Sequence, residues 1–545
     1  MQTYKSDVII VGGGLAGIVT AIELLEENKK VLILDRDMEA NFGGLAKWSF
    51  GGMFFVNSKL QRQRGIKDSV DLATNDWFSY AEFDEKEYWG KKWAEQYIHF
   101  STPHGYDWLR KKGLSFFPIL NWAERGLFVP GNSVPRFHMV LGTGWELTNL
   151  MIDTLKNHPK AKTNLLIVCE HRVNEIISQN NTIKGVRGSQ EQGGADFEAY
   201  ADVLVVATGG INGSIEKVRE NWFKPWGKPP KTILNGAHPF AIGDLHDATE
   251  KVNGNVVNLE KQWNYAAGIH HYKPRYEGHG LSLVPPKSAL WLNYEGKRIG
   301  PTPLVTSFDT RYMVERICEE PIKYSWQVLN FKIAEKEFAI SGSEHNELMR
   351  DKKLLRFIYQ ILVKGNGELV NKIIDNCKDV VIGNTVEELV ENMNAIDDNE
   401  APVKLDLVQD AISKYDAQID RGKAYHNDPQ LRLIAHARQY RGDKTRTCNF
   451  QKIVDGKAMP LIAIREFVLS RKSLGGIQTN LSGQVLTKPS IDGKQEAIDG
   501  LYAVGEASGF GGGGMHGHRS LEGTFLGGCV ITGRVVGKAI NDKKL

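Results

Sequence analysis

The chain has 545 residues, with 68 lysines and arginines against 65 aspartates and glutamates, a net charge of +3, and 41% hydrophobic residues. That length predicts two or three compact units, and so balanced a charge argues against a nucleic-acid partner or a polybasic membrane anchor. Cys169, Cys318, Cys377, Cys448 and Cys529 are dispersed with no CxxC pair, which disfavours a disulfide framework or a metal site and points to a reducing compartment.

MQTYKSD runs directly into an apolar segment, with no basic region and long apolar run of a leader. No window reaches roughly 18 consecutive apolar residues, so no membrane span is expected. The expectation is a cytoplasmic protein. Asp7 to Val11 then predicts a short buried strand. Gly12, Gly14 and Gly17 follow in GxGxxG spacing, and Ile18, Ala21, Ile22 and Leu25 recur at helical spacing. VLILD predicts a second buried strand ending in Asp35. This βαβ order is a dinucleotide fingerprint in full register. Gly12 makes the tight turn, Gly14 lets backbone approach a pyrophosphate, and Gly17 packs helix on strand. The first helical turn, with Leu15 and Ala16, offers free N–H groups to phosphate. Asp35, followed by Arg36, accepts from ribose hydroxyls.

NFGGLAKWSFGGMFFVNS comes next and contains Gly43, Gly44, Ser49, Gly51 and Gly52. A nicotinamide enzyme would lead from the second strand into another helix without this double GG run. Residues 60 to 140 are rich in Trp, Tyr and Phe, with a helix predicted around Glu85 to Phe100. GTGWELTNLMIDTLKNHP (142–159) predicts a glycine-initiated amphipathic helix. LLIVCEHRVNEIISQNNTIKGVRG predicts strand, turn, strand, turn, strand. DVLVVATGGINGS (202–214) is an apolar strand ending in Ala207, Thr208, Gly209 and Gly210. From about 271 to 455 strands thin out and charged amphipathic helices dominate, with Thr385 capping one helix and Glu388 at its N3 position. The chain ends with GLYAVGE, the stretch GFGGGGMHGHRSLEG (509–523) and a last helix. No internal repeat and no second dinucleotide fingerprint occur.

These motifs, together with ALWLNYEGKRIG (289–300), SWQVLN and EKEFAISGSEHN (325–346), RKSLGGIQTN (471–480) and GFGGGGMHGHRSLEGTFLGGC (509–529), cover nearly the whole chain. They resemble the FAD-dependent fumarate reductase/succinate dehydrogenase flavoprotein superfamily, within it the soluble FAD-binding dehydrogenase group related to 3-ketosteroid dehydrogenases. The resemblance implies an α/β fold: a discontinuous Rossmann-like FAD-binding domain (residues 1–270 and 456–545) with an inserted α+β cap domain (271–455). It implies that the double GG segment runs along the pyrophosphate and ribityl chain, and that backbone near Val173 meets the adenine. Ala207, Thr208 and Gly209 would return to the adenosine end, and Gly505 and Glu506 would hold the ribityl hydroxyls. Leu521, Gly523 and Thr524 would place a helix N-terminus against the flavin's N1–C2=O edge, with the glycine run lying flat against the ring. Residues 40 to 60 contain no histidine, so the expected FAD is non-covalent, and no metal is expected.

Oxidation of a CH–CH bond needs a hydride acceptor, a proton acceptor and donors that polarise the neighbouring carbonyl. The resemblance points to Arg311 and Tyr312 in DTRY, and to His516, His518 and Arg519 in HGHRSLEG. Departures accompany it: GHGLSLVPP lacks the expected Glu and Arg, and Ile462 stands where a ketosteroid dehydrogenase has tyrosine. Arg465, Arg471, His104, His138, His270 and His271 read equally as structural. The expected activity is an FAD-dependent oxidoreductase acting on a CH–CH bond next to a carbonyl, with a small-molecule substrate such as a hydrophobic ring ketone. A fumarate-reductase-like reductase of an unsaturated acid and a non-catalytic flavin-binding protein stay open as alternatives. The electron acceptor, reaction direction and oligomeric state are open too.

Overall fold

The computed structural model describes residues 1–179 and 182–545. Asn180 and Asn181, in the turn expected after Gln179, lie outside them. The chain divides into two compact units. Met1–Asn221, Ala237–Trp263 and Lys472–Leu545 form the first, and Trp222–Gly236 with Asn264–Arg471 form the second.

The first unit is built on a parallel sheet in the order Leu165–Val168, Val31–Leu34, Val8–Val11, Val203–Val206 and Ala497–Ala503. Val8–Val11 and Val31–Leu34 are buried along their whole length. A parallel sheet is covered on both faces, so such strands read as unbroken apolar runs. His171–Gln179, Thr182–Gln190 and Asp196–Tyr200 form an antiparallel meander. It joins the parallel sheet through Asp499 and Thr182. Helix Leu15–Glu26 packs on helix Thr524–Ala539. Their approach depends on small residues: a Cβ on Gly533 would lie 2.7 Å from the Ala16 carbonyl oxygen, and one on Gly537 would lie 2.5 Å from Glu23 Cβ.

The second unit is built on an eight-stranded sheet. Its main path runs Leu290–Asn293, Tyr324–Asn330, Leu461–Ser473, Gln262–His270, Gly280–Val284, Ala339–Ile340, and Ile233–Asn235 and Val380–Gly383 also pair with Leu461–Ser473. Amphipathic helices such as Val386–Asn394 and Leu405–Asp420 complete it. Thr385 Oγ1 accepts from Glu388 N–H at 3.1 Å, the cap expected from sequence.

This unit carries more sheet than the sequence predicts, and its bounds differ from 271 and 455. The reason is Leu461–Ser473, which pairs antiparallel with Tyr324–Asn330 from Tyr324↔Phe467 to Asn330↔Leu461. Its first ten residues are all buried, so no alternation marks it as part of one sheet rather than another.

Candidate functional site

In the first unit the fingerprint glycines take three distinct positions. Gly12 has φ +109°, and a Cβ there would lie 2.3 Å from the Ala207 carbonyl oxygen. A Cβ on Gly17 would lie 2.2 Å from the Gly12 carbonyl oxygen, so helix Leu15–Glu26 sits directly on the turn. Gly14 differs: its φ and ψ are −76° and 177°, open to any residue, and a Cβ there would meet nothing within 4 Å. Gly14 therefore borders free space, and no side chain caps the helix that starts behind it. A phosphate group fits that combination of open space and free N–H groups.

The walls of this cradle come from separate segments. Gly43 N–H donates to the Gly13 carbonyl at 2.9 Å, and Gly44 stands 3.4 Å (from its virtual Cβ) from Gly14 Cα. Ser49 Oγ donates to the Ala46 carbonyl at 2.7 Å. The Gly51 carbonyl accepts from Val140 N–H at 2.9 Å, and Gly52 opens the strand Gly52–Phe54. Opposite the turn, Thr208 Oγ1 is buried with no hydrogen-bond partner among the described residues, beside Ala207 and Gly209. Val173 lies buried in the meander. Glu506 accepts from Ser473 N–H at 2.9 Å, and Gly505 N–H donates to Thr532 Oγ1 at 2.9 Å.

Asp35 is not simply aimed outward. Its carboxylate accepts from the N–H groups of Gly13 and Asp37, which ties the glycine turn to the end of the second strand. Burial raises its pKa above the usual carboxylate range. Arg36 pairs with Glu191 and lies 4.5 Å from the Phe240 ring centroid.

The C-terminal stretch is packed into the first unit. Gly509 to Met515 are all buried. A Cβ on Gly511 would strike the Trp93 ring and one on Gly512 the Trp89 backbone. At Gly511 and Gly512 the protein's own tryptophans leave no room for a Cβ, and at Gly513 Val257 and Gln478 do the same. His516 is fully buried, stacked on Trp77 with ring centroids 5.8 Å apart. Its Nε2 lies 2.9 Å from Thr524 Oγ1, whose own proton goes to the Leu521 carbonyl at 2.6 Å. His516 Nε2–H is therefore the donor, and Nδ1 has no hydrogen-bond partner among the described residues. Burial, with the Lys472 charge as a second cause, pushes its pKa down to about 3. His518 and Arg519 both donate backbone N–H groups to the Ala81 carbonyl. Arg519 Nε stands 2.9 Å from Glu82 Oε1 and His518 Nε2 stands 3.6 Å from Asp84 Oδ2. Gly523 has φ +95° and its carbonyl accepts from Phe54 N–H, and helix Thr524–Ala539 begins with no side-chain cap.

In the second unit, Asp309 caps helix Thr310–Cys318 by accepting from Tyr312 N–H at 3.0 Å. Arg311 is buried, its guanidinium 4.7 Å from the Phe223 ring centroid and 4.8 Å from that of Trp226. Tyr312 Oη reaches the Thr302 carbonyl at 3.4 Å. Arg465 and His270 both engage Asp379, at 3.2 and 2.8 Å, which gives them structural work. Among the described residues, His271, Glu344 and His345 bring their ligand atoms within 4.8 Å of one another. His271 Nδ1 accepts from Lys273 N–H at 2.8 Å. Its neutral form thus carries the proton on Nε2, the atom facing Glu344, and has no lone pair there for a cation.

Sequence reading missed two residues of the second unit, Glu466 and Gln327. Glu466 is fully buried and Gln327 nearly so, and neither side chain has a hydrogen-bond partner among the described residues. The only signal was the pair Arg465–Glu466 inside the otherwise apolar stretch LIAIREFVL (461–469).

Comparison with known proteins agrees with this geometry. A family model described as FAD binding domain matches residues 7–526. A KsdD-like steroid dehydrogenase of Mycobacterium tuberculosis is 42% identical, over 98% of this chain and 96% of the relative. One from Mycolicibacterium smegmatis is 39% identical over 96% of both. The structure of 3-ketosteroid delta1-dehydrogenase from Sterolibacterium denitrificans superposes with a TM-score of 0.69 over 99% of both chains at 15% identity, a likeness of fold.

Proposed function

The chain belongs to the FAD binding domain family and is an FAD-dependent oxidoreductase of the CH–CH dehydrogenase class; from that premise we propose that its substrate is a hydrophobic ring ketone of steroid type. The observation that carries the substrate class is the likeness to steroid dehydrogenases along almost the entire chain, rather than in the cofactor-binding segments alone.

Bound FAD supplies the hydride acceptor. In our reading Gly12, Gly14, Leu15, Ala16 and Gly17 would receive its pyrophosphate, with Gly43, Gly44, Ser49, Gly51 and Gly52 along the chain toward the ring. Asp35, Arg36, Val173, Ala207, Thr208 and Gly209 would surround the adenosine half, and Gly505, Glu506, Leu521, Gly523 and Thr524 the ribityl and ring end. The open space at Gly14 and the unpartnered Thr208 hydroxyl support this placement.

Chemistry is assigned to Arg311 and Tyr312, as the group that takes the α-proton. His516, His518 and Arg519 are assigned to holding the loop: His516 stays neutral, and Arg519 is engaged by Glu82. Removal of the α-proton and of the β-hydride leaves a conjugated enone. The five free cysteines suit a reducing cytoplasm.

Anaerobic mixing of the purified flavoprotein with 3-ketosteroids and simpler ring ketones tests the reading. Bleaching of the flavin by ketone alone is expected. Reoxidation of dye-reduced enzyme by fumarate, with no response to ketones, would instead identify a reductase, and no response to either would identify a binding protein.

A further inference from the structure

In the second unit, helix Leu354–Tyr359 runs directly into the π-helical turn Gln360–Lys364. Along this segment Leu355 is 86% exposed, Ile358 42%, Tyr359 59% and Val363 69%. Their i, i+3, i+4, i+8 spacing puts them on one helical face. Phe357 and Ile361 take the opposite face and are partly buried. Elsewhere among the described residues, exposed large apolar side chains come singly or, at Phe128 and Val129, as one pair. Scattered apolar side chains are ordinary on a protein surface. Four on one face of one short segment form a patch, and such a patch marks a surface that something covers.

The charges around the patch select its partner. From residue 347 to 364 the sequence carries Arg350, Lys352, Lys353, Arg356 and Lys364 against two acids, Glu347 and Asp351. Lys352, Lys353, Arg356 and Lys364 are all exposed. Asp351 is already engaged, by Arg350 at 2.8 Å and by Lys353 at 3.4 Å. Lys364 pairs with Glu368, an exposed pair of a kind worth little, so a phosphate can compete for that lysine. The nearly balanced charge of the whole chain therefore conceals a local basic rim. A second copy docked through the same patch would set that rim against itself. Four side chains also cover far less than the about 800 Å² per partner that a stable protein interface buries. A lipid surface of negative charge complements both the apolar face and the rim. The segment is too short to span a bilayer, and no helix among the described residues is long and apolar enough to cross one. An apolar face with a basic rim instead lies in the plane of the interface.

We propose that the face formed by Leu355, Ile358, Tyr359 and Val363 docks the protein on an anionic lipid surface. The four apolar side chains enter the boundary between headgroups and acyl chains. Tyr359 keeps its hydroxyl on the polar side, and Lys352, Lys353, Arg356 and Lys364 hold lipid phosphates. Apolar burial and charge attraction add together, so binding is reversible and weakens with salt. The inference goes beyond the ring-ketone reading and does not depend on it.

Sedimentation of the full-length flavoprotein with vesicles of phosphatidylcholine, with and without phosphatidylglycerol, tests this. Binding to the anionic vesicles is expected, falling as salt rises. Leu355→Glu should weaken it at least about tenfold by placing a charge in the apolar face. Arg356→Gln should weaken it roughly fivefold by removing one cation of the rim. Both side chains are exposed, so flavin content and melting temperature should stay as in the parent. An environment-sensitive fluorophore on Val363→Cys gives the local readout. Its emission should shift to the blue on anionic vesicles and stay put without lipid at every protein concentration. No binding to anionic vesicles, or equal binding to both vesicle types, would overturn the proposal. So would parent-like binding by Leu355→Glu. A blue shift without lipid that grows with protein concentration, alongside a dimer that Leu355→Glu disperses, would make a second copy the occupant and overturn it too. A label already shielded in the monomer would show that the chain itself covers the patch, with the same consequence.

Discussion

His516 Nε2 lies 2.9 Å from Thr524 Oγ1, which ties the middle of the C-terminal loop to the first residue of the last helix. Thr524 gives its own proton to the Leu521 carbonyl, so the contact is a donation from histidine, and the neutral ring carries its proton on Nε2. The loop is thus fastened by a histidine whose proton inventory is set by burial rather than by pH near neutrality.

Acid should therefore loosen the first unit. His138 and His246 are pushed down to about 4 and His516 to about 3, each chiefly by burial. Unfolding returns each to its ordinary value near 6.5, so below that pH the unfolded chain binds more protons and stability falls as pH drops from 6.5 toward 4. The cost is about 1.4 kcal/mol per pH unit for each fully buried group. Urea unfolding at pH 7.5, 6 and 5 checks the slope, and a flat profile would contradict the buried neutral state.

Gly14→Val should fold normally but purify without flavin. A Cβ at Gly14 meets no protein atom within 4 Å and its extended backbone angles suit valine, so the ligand is what loses its space. Gly17→Ala should behave in the opposite way, losing stability through its clash with the Gly12 carbonyl, by roughly 1–3 kcal/mol. Flavin-to-protein absorbance and thermal melts on both variants separate the two effects.

Flavin should be released by denaturation. Residues 40 to 60 offer no histidine for a covalent bond. Acid precipitation is expected to leave the yellow colour in the supernatant; colour retained in the pellet would refute this.

Arg136→Met should be strongly destabilising. Arg136 reaches Asp76 at 2.6 Å and Asp68 at 2.8 Å, and all three side chains are 0% exposed. Removing the cation strands two buried carboxylates, a loss of about 3–5 kcal/mol. A shift in the urea midpoint measures it.

Tyr312→Phe should lower kcat while retaining flavin, since it removes only the phenolic hydroxyl, which stands 3.4 Å from the Thr302 carbonyl. A drop of roughly 100-fold fits loss of a proton-transfer group. Unchanged turnover would remove Tyr312 from the chemistry.

The dinucleotide cradle was legible because its determinants are local. Gly12, Gly14 and Gly17 lie within six residues, and the turn, the open space and the close helix packing each follow from the absence of one Cβ. Asp35 was legible as an acid at the strand's end, whereas its bonds to Gly13 and Asp37 depend on how the loop folds back. The glycine run at 511–514 was visible as a demand for space, but what occupies that space comes from distant segments: Trp93 and Trp89 at Gly511 and Gly512, Val257 and Gln478 at Gly513.

By itself, the sequence determined the α/β class and the dinucleotide fingerprint, because short-range patterning and glycine chemistry encode them, while FAD and the reaction type followed from the resemblance of its longer motifs to a flavoprotein family. Only the tertiary structure decided where Leu461–Ser473 belongs, which nitrogen of His516 carries its proton, and that Glu466 and Gln327 stand together unpaired. These depend on strand register and on burial. Both arise from contacts between segments far apart in the chain, and no local pattern reports what a buried polar atom will or will not find beside it.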